Sequence, residues 1–130
     1  MSLYDKVKED KPWEYIPGDS GHKLYVLVRG DLSKSQQAVQ AGHAIAQILL
    51  EGKHKDDPED QPYFGHYWQN GTLVMLKVKD LTDLILWREK IRAKGLMFSE
   101  FKESDLNMET TAVATIGDYA SELLKQIPLL

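Results

Sequence analysis

The sequence predicts an α/β fold, a three-layer α/β/α sandwich with a four-stranded mixed sheet and its elements in the order βαβαββα. Residues 24–28 are a continuous run of apolar, strand-favouring residues, Leu-Tyr-Val-Leu-Val, which is typical of a strand buried on both faces. After this strand and after the next one, apolar residues recur with helical spacing. This order of strand and helix is typical of folds in which helices connect parallel strands. A chain of 130 residues without cysteine fits one domain that packing, not disulfide bonds, stabilises.

The first part of the chain divides into an arm, a strand and a helix. Residues 1–21 are rich in charge, proline and glycine and predict an extended N-terminal arm, so the predicted domain spans residues 22–130. After the strand, Ser33 is a suitable helix cap, and apolar residues then recur at threes and fours until Gly52. This spacing predicts an amphipathic helix that follows the strand directly.

The rest of the chain alternates between polar connections and regular elements. Residues 53–71 predict an acidic loop with a short helix at 63–69, where four aromatic residues cluster. Further elements are predicted as strands at 72–78, 96–101 and 110–116, a helix from Asp80 or Thr82 to Gly95, and a last helix at 119–127. The last two strands are joined by the short connection 103–107, so they should pair antiparallel and make the sheet mixed.

Composition and charge restrict the classes of function. No apolar run approaches the roughly 20 residues that span a bilayer, and the N-terminus lacks the apolar core of a signal peptide, so we expect a cytoplasmic protein. The net charge of −4 is not the footprint of an RNA-binding domain, although a local basic patch can still bind phosphate. His54 and His66 have no partner at ligand spacing, so we expect neither a metal nor another cofactor.

A ligand site is predicted where the first strand feeds its helix. Ligands of open α/β sheets bind outside the carboxyl ends of the parallel strands, which here is segment 29–34, Arg-Gly-Asp-Leu-Ser-Lys. Free N–H groups at the start of the helix favour an anion. The helix then carries a polar stripe opposite its apolar face: Gln36, Gln40, His43 and Gln47. We expect a crevice in which Asp31, Lys34 and His43 approach the connection 103–107.

Two stretches of this region resemble the type-two peptidyl-tRNA hydrolases. They are residues 23–32, Lys-Leu-Tyr-Val-Leu-Val-Arg-Gly-Asp-Leu, and residues 38–44, Ala-Val-Gln-Ala-Gly-His-Ala. That family shares a strand ending in Arg-x-Asp and a helix with Ala-Ala-Gln-x-x-His-Ala, and weaker similarity covers His22 to Gly117. The resemblance implies cleavage by water, without a cofactor, of the ester between tRNA and a peptide or another N-blocked acyl group. The implied partner is tRNA or peptidyl-tRNA.

The chain departs from the family pattern at two places. Gln36 stands where the family has a functional lysine, with Lys34 nearby as a substitute. Residues 101–107 replace the Asp-Ala-Gly motif of the third strand, with Glu103 or Asp105 as the replacement carboxylate. By resemblance, we assign catalytic roles to His43, Asp31, Lys34, Glu103 and Asp105, and substrate binding to Arg29, Gln36, Gln40 and Thr111.

Each assignment has a structural alternative. His43 can bond a neighbouring loop, Asp31 and the two later acids are ordinary turn residues, and exposed cations are often only solvated. The basic stretch 88–94 fits either a tRNA contact or a solvated helical face. Two other functions therefore stay open. One is a non-catalytic binding module of the same fold for tRNA, a nucleotide or a protein. The other is a homodimeric interaction domain that uses the arm and the aromatic cluster.

Overall fold

The computed structural model describes residues 23–51, 68, 71–117 and 120–130. The predicted arm and, apart from Trp68, the predicted short helix at 63–69 lie outside the described residues. The strands are β1 (Leu24–Arg29), β2 (Leu73–Val78), β3 (Met97–Glu103) and β4 (Glu109–Ile116). The helices are α1 (Lys34–Glu51), α2 (Leu81–Ala93) and α3 (Ala120–Leu124), with a 3₁₀ turn at Ser104–Leu106.

The four strands form one mixed sheet in the order β2-β1-β4-β3. Strand β1 pairs parallel to β2 and antiparallel to β4, and β4 pairs antiparallel to β3. The predicted mixed sheet and element order are confirmed. The central strands β1 and β4 each have a neighbouring strand on both sides. All six residues of β1 are buried, as the continuous apolar run predicts.

Helices cover both faces of the sheet. On one face, α1 packs Ala44 and Ile48 against Val26 of β1. On the other face, Leu84 of α2 and Leu124 of α3 belong to the second cluster of buried apolar side chains. Each fully buried Leu or Ile side chain contributes about 1.5–3 kcal/mol relative to an exposed one, so the two clusters hold the three layers together.

The end of the chain differs from its prediction. The predicted helix at 119–127 is wrong in length, because α3 ends at Leu124. The chain then turns toward β2, where the Lys77 amide donates to the Pro128 carbonyl and the Leu130 amide donates to the Met75 carbonyl, both at 2.9 Å. Unpaired groups on an edge strand readily bond another segment, and here these bonds replace a further helical turn.

Strand β3 also ends later than predicted. It continues through Glu103, which pairs with Glu109, so the carboxylate expected in the connection belongs to the strand end. The chain reverses through the 3₁₀ turn and through Asn107 and Met108, whose φ angles of 56° and 62° lie in the left-handed region. No helix among the described residues is long and apolar enough to cross a membrane.

Candidate active site

The polar stripe of α1 lies over the end of β3. Gln40 Nε2 donates to Glu103 Oε2 at 2.9 Å, and Gln47 Nε2 donates to the Glu100 carbonyl oxygen at 2.9 Å. The prediction that the stripe opposes the apolar face of the helix is therefore wrong for these two residues. The stripe borders the apolar face instead, because β3 is an edge strand that offers polar groups to the helix above it.

Gln40 is held at both ends of its side-chain amide. The residue is only 2% exposed, and its Oε1 accepts a hydrogen bond of 2.9 Å from Thr111 Oγ1. Because a hydroxyl must donate to the amide oxygen, this bond directs the opposite end, the NH₂ group, at Glu103. Thr111 thus fixes which way the amide points, and the amide orients the carboxylate.

A β-bulge brings Thr111 to the α1 face of the sheet. Strand β4 advances two residues, from Ala112 to Thr110, while β3 advances one, from Phe101 to Lys102. Ala112 belongs to the α1-side cluster, and its neighbour Thr111 bonds α1 as well. Bulges re-aim side chains in this way and are over-represented next to functional sites.

Glu103 accepts hydrogen bonds at both of its carboxylate oxygens. Its other oxygen, Oε1, accepts from the Asp105 backbone N–H at 3.2 Å and from Ser104 Oγ at 3.4 Å. The pKa of Glu103 is lowered, chiefly by the hydrogen bond from Gln40, next by the Asp105 N–H, and further by the charge of His43. Glu103 is therefore an oriented, ionised carboxylate at neutral pH.

A pocket of about 270 Å³ lies between α1 and the turn after β3. Its described lining comes from two segments: Ser35, Gln36, Val39 and Gln40 of α1, and Glu103, Asp105 and Leu106. Val39 is 54% exposed although it is apolar, and with Leu106 it makes an apolar wall beside the polar groups. A concave site with an apolar wall and a few converging polar groups is suited to a small ligand.

His43 lies three residues after Gln40 on α1. Its ring stacks on Phe101 with a centroid distance of 4.3 Å and an angle of 6° between the rings. The residue is exposed and close enough to Glu103 that its protonated form lowers the pKa of that carboxylate. The imidazole is thus fixed in orientation by Phe101 while it stays accessible to a substrate and to water.

The start of α1 is well ordered by its own polar groups. Ser33 Oγ accepts from the Gln36 backbone N–H at 3.3 Å, which confirms the predicted cap. Gln37 Nε2 donates to the Leu32 carbonyl at 2.8 Å and so fixes the preceding loop. Lys34 is exposed and makes no ion pair with any described residue.

Arg29 and Asp31 form a clamp at the end of β1, and neither is among the described residues that line the pocket. Arg29 is only 7% exposed, and its guanidinium donates to both carboxylate oxygens of Asp31 at 3.0 and 2.7 Å and to Glu109 Oε2 at 3.1 Å. The hydrogen bonds from Arg29 lower the pKa of Asp31, and those bonds raise the pKa of Arg29. The clamp ties the end of β1 to the start of β4 and uses most of the guanidinium's donors.

The structure brings together only some of the residues predicted from sequence. Gln36, Gln40, Glu103 and Asp105 line one pocket, and Thr111 lies behind it. Sequence reasoning missed Ser35, Val39 and Leu106 in the lining and Glu109 in the clamp. Helical spacing from Gln36 and Gln40 would have found the first two, whereas no pattern in the sequence links Glu109 to Arg29.

The basic stretch 88–94 lies on α2, across the sheet from the pocket. Arg88 pairs with Glu100 at 2.9 Å and with Glu89, and the Lys90 ammonium lies 4.2 Å from the centre of the Trp87 ring. Arg88 and Lys90 are thus engaged in local interactions, and no residue of the stretch lines the pocket.

Comparisons with known proteins agree with this architecture. A family model described as peptidyl-tRNA hydrolase PTH2 matches residues 22–128. A solved protein of unknown function from Agrobacterium tumefaciens has a TM-score of 0.59 and 14% sequence identity, covering 85% of this chain and 98% of its own. That likeness shows the fold alone. No curated protein matches the sequence.

Proposed function

Since the family match spans most of its length, the chain belongs to the peptidyl-tRNA hydrolase PTH2 family, and we propose that it hydrolyses acyl-tRNA esters. The substrates implied by the family are peptidyl or N-blocked aminoacyl groups on the 3′ end of tRNA. The observation that best supports catalysis is the Glu103 carboxylate, which a buried amide orients at the edge of a pocket. Buried polar networks that fix one carboxylate are typical of sites built for chemistry.

Water is the nucleophile in the proposed reaction. It attacks the ester carbonyl carbon, the bond from that carbon to the 3′ oxygen breaks, and the products are a carboxylic acid and a tRNA with a free 3′ hydroxyl. The lowered pKa makes Glu103 a weak base, so we assign it the orientation of water and the stabilisation of positive charge on His43. The His43 imidazole takes the proton from water and returns it to the leaving oxygen.

We assign the other residues of the region to substrate binding or to positioning of the catalytic groups. The Gln36 amide and the backbone N–H groups at the start of α1 can donate to the developing oxyanion. Lys34 meets a phosphate of the acceptor end, so binding of tRNA should weaken steeply with salt. Gln40, Thr111 and the Arg29–Asp31 clamp have their polar groups bonded within the protein, and we assign them to positioning rather than to substrate contact.

A non-catalytic binding module is the second candidate. The observation that favours it is Gln36 in the pocket, at the place of the family's functional lysine, beside two acidic residues. Such a protein would keep the fold and bind tRNA without cleaving it. We also place the protein in the cytoplasm, and self-association as a homodimer stays a prediction.

Release of the acyl group from N-acetyl-aminoacyl-tRNA by the purified protein tests the proposal, with tRNA binding measured on the same sample. Release above the uncatalysed rate supports the hydrolase. Binding without release supports the binding module. If the protein neither releases the acyl group nor binds tRNA, the homodimeric interaction domain is the remaining hypothesis.

A further inference from the structure

A second cavity lies between α2 and the last residues of the chain, on the face of the sheet opposite to the active-site pocket. Its volume of about 470 Å³ exceeds that of the pocket. Sites for small ligands have volumes of about 300–1,000 Å³, so this α2–α3 cavity is large enough for one. Its described lining comes from two segments: Trp87, Lys90 and Lys94, and Glu122, Leu123, Lys125 and Gln126.

The lining of the α2–α3 cavity is basic although the whole chain is acidic. It contains three lysines and one glutamate, whereas the chain has a net charge of −4. Glu122 is exposed and pairs with Lys125 at 2.7 Å, so these two charges offset each other. Lys90 and Lys94 form no ion pair with any described residue. Two ammonium groups without a carboxylate partner at one concave surface attract anions.

The C-terminus of α2 does not require these two lysines as caps. Cations near the end of a helix often bond to its last carbonyl groups. Here backbone N–H groups do so at 3.0 to 3.2 Å, with Lys94 donating to Lys90, Gly95 to Arg92 and Leu96 to Ile91. Helix capping therefore does not account for the two ammonium groups.

The cavity also has an aromatic wall that holds one of the cations. Lys90 Nζ lies 4.2 Å from the centre of the Trp87 ring. This contact restricts a flexible side chain, so an anion that binds Lys90 immobilises it at a lower entropic cost. Trp87 and Leu123 are partly buried and give the cavity an apolar part. The Gln126 side chain forms no hydrogen bond with a described residue, and its amide can both donate and accept.

We infer that the α2–α3 cavity binds a nucleotide unit, with the phosphate on Lys90 and Lys94 and the base in contact with Trp87 and Leu123. Cations on the phosphate and aromatic side chains on the base are the contacts by which proteins bind single nucleotides and single-stranded nucleic acid. The unit is a free mononucleotide or one nucleotide of an RNA. The inference does not depend on the proposed hydrolysis, because the cavity and the active-site pocket lie on opposite faces of the sheet.

Titration of the isotope-labelled full chain with adenosine monophosphate (AMP), followed by NMR, tests the inference. The indole N–H signal of Trp87 is assigned by its absence in Trp87→Phe, and it should shift as AMP binds. Adenosine alone and inorganic phosphate alone should each bind at least about fivefold more weakly than AMP, because each makes only part of the contacts. Lys94→Gln should weaken AMP binding about tenfold. Lys79→Gln is the matched control, because it removes the same charge from an exposed position just before α2, at the other end of the helix.

Titration with deacylated tRNA distinguishes the two sources of the nucleotide. A Trp87 shift with AMP that depends on Lys94 supports a site for free nucleotides. A shift with tRNA but not with AMP, and weaker tRNA binding by Lys94→Gln than by Lys79→Gln, supports a site for RNA.

Three results would overturn the inference. They are a Trp87 signal that neither ligand moves, equal affinity for AMP and inorganic phosphate, and wild-type affinity in Lys94→Gln. If Lys34→Gln weakened AMP binding while Lys94→Gln did not, the nucleotide would occupy the active-site pocket instead.

Discussion

Replacing Thr111 with valine removes the hydroxyl that holds the Gln40 amide and keeps the shape of the side chain. The lost bond is 2.9 Å long, and its acceptor belongs to a residue that is only 2% exposed. Water therefore cannot replace the donor. A buried acceptor without a partner costs about 1–3 kcal/mol, so the free energy of unfolding should fall by that amount.

The same substitution should reach the active site through Gln40. Without the hydroxyl, the amide can rotate and place its oxygen against Glu103, so the carboxylate loses its orientation. We expect kcat to fall about tenfold, equivalent to about 1.4 kcal/mol. The pKa of Glu103 should also rise toward its ordinary value of 4.5, because the Gln40 bond is the main cause of its lowering. NMR titration of the Glu103 carboxyl group measures this rise.

Denaturant unfolding and single-turnover hydrolysis, each measured for both threonine variants, test this account. Thr111→Ser is the matched control, since it keeps the hydroxyl and loses only a methyl group, and it should retain most of the turnover. A Thr111→Val protein with wild-type stability and turnover would refute the reasoning. If stability fell while turnover per folded molecule and the pKa of Glu103 stayed unchanged, Gln40 would not orient Glu103.

Three further substitutions test other parts of the structure. His43→Ala should lower turnover by roughly 10²-fold, while the free energy of unfolding should fall only by the lost ring stacking, about 0.5–1.5 kcal/mol. Undiminished hydrolysis would remove His43 from the mechanism. Asp31→Asn should destabilise the protein at pH 7, and the difference should vanish as the pH falls through the lowered pKa of Asp31, below its ordinary 3.8; a difference that persists in acid would contradict the ion pair. Gly30→Ala should cost about 1–3 kcal/mol in denaturant unfolding, because the new Cβ would lie 3.0 Å from a β2 carbonyl oxygen; an unchanged midpoint would show that the strands can separate there.

Local patterns in the sequence are sufficient to predict the strand and the helix that surround the site. The buried run of β1 and the Ser33 cap of α1 depend on neighbouring residues, and the structure confirms both. The helical spacing of Gln36 and Gln40 also placed them together correctly on one side of α1.

The contacts that define the site depend on residues far apart in the chain, so local patterns could not predict them. Strict alternation along β4 would turn Thr111 away from α1, and only the bulge reverses this. Arg29 follows an apolar strand and looked available for phosphate, but Glu109, 80 residues later, helps to bury it. Glu103 looked like a turn residue because its strand pairing depends on β4.

The central claim is that the Glu103 carboxylate of this pocket takes part in ester hydrolysis. Single-turnover release of N-acetyl-leucine from tRNA by Glu103→Gln, compared with the wild type and with Glu122→Gln, tests it most directly. Because glutamine keeps the size of the side chain and removes its charge, we expect release to slow by about 10²-fold, with wild-type rates in the control. Release by Glu103→Gln at the wild-type rate would contradict the claim.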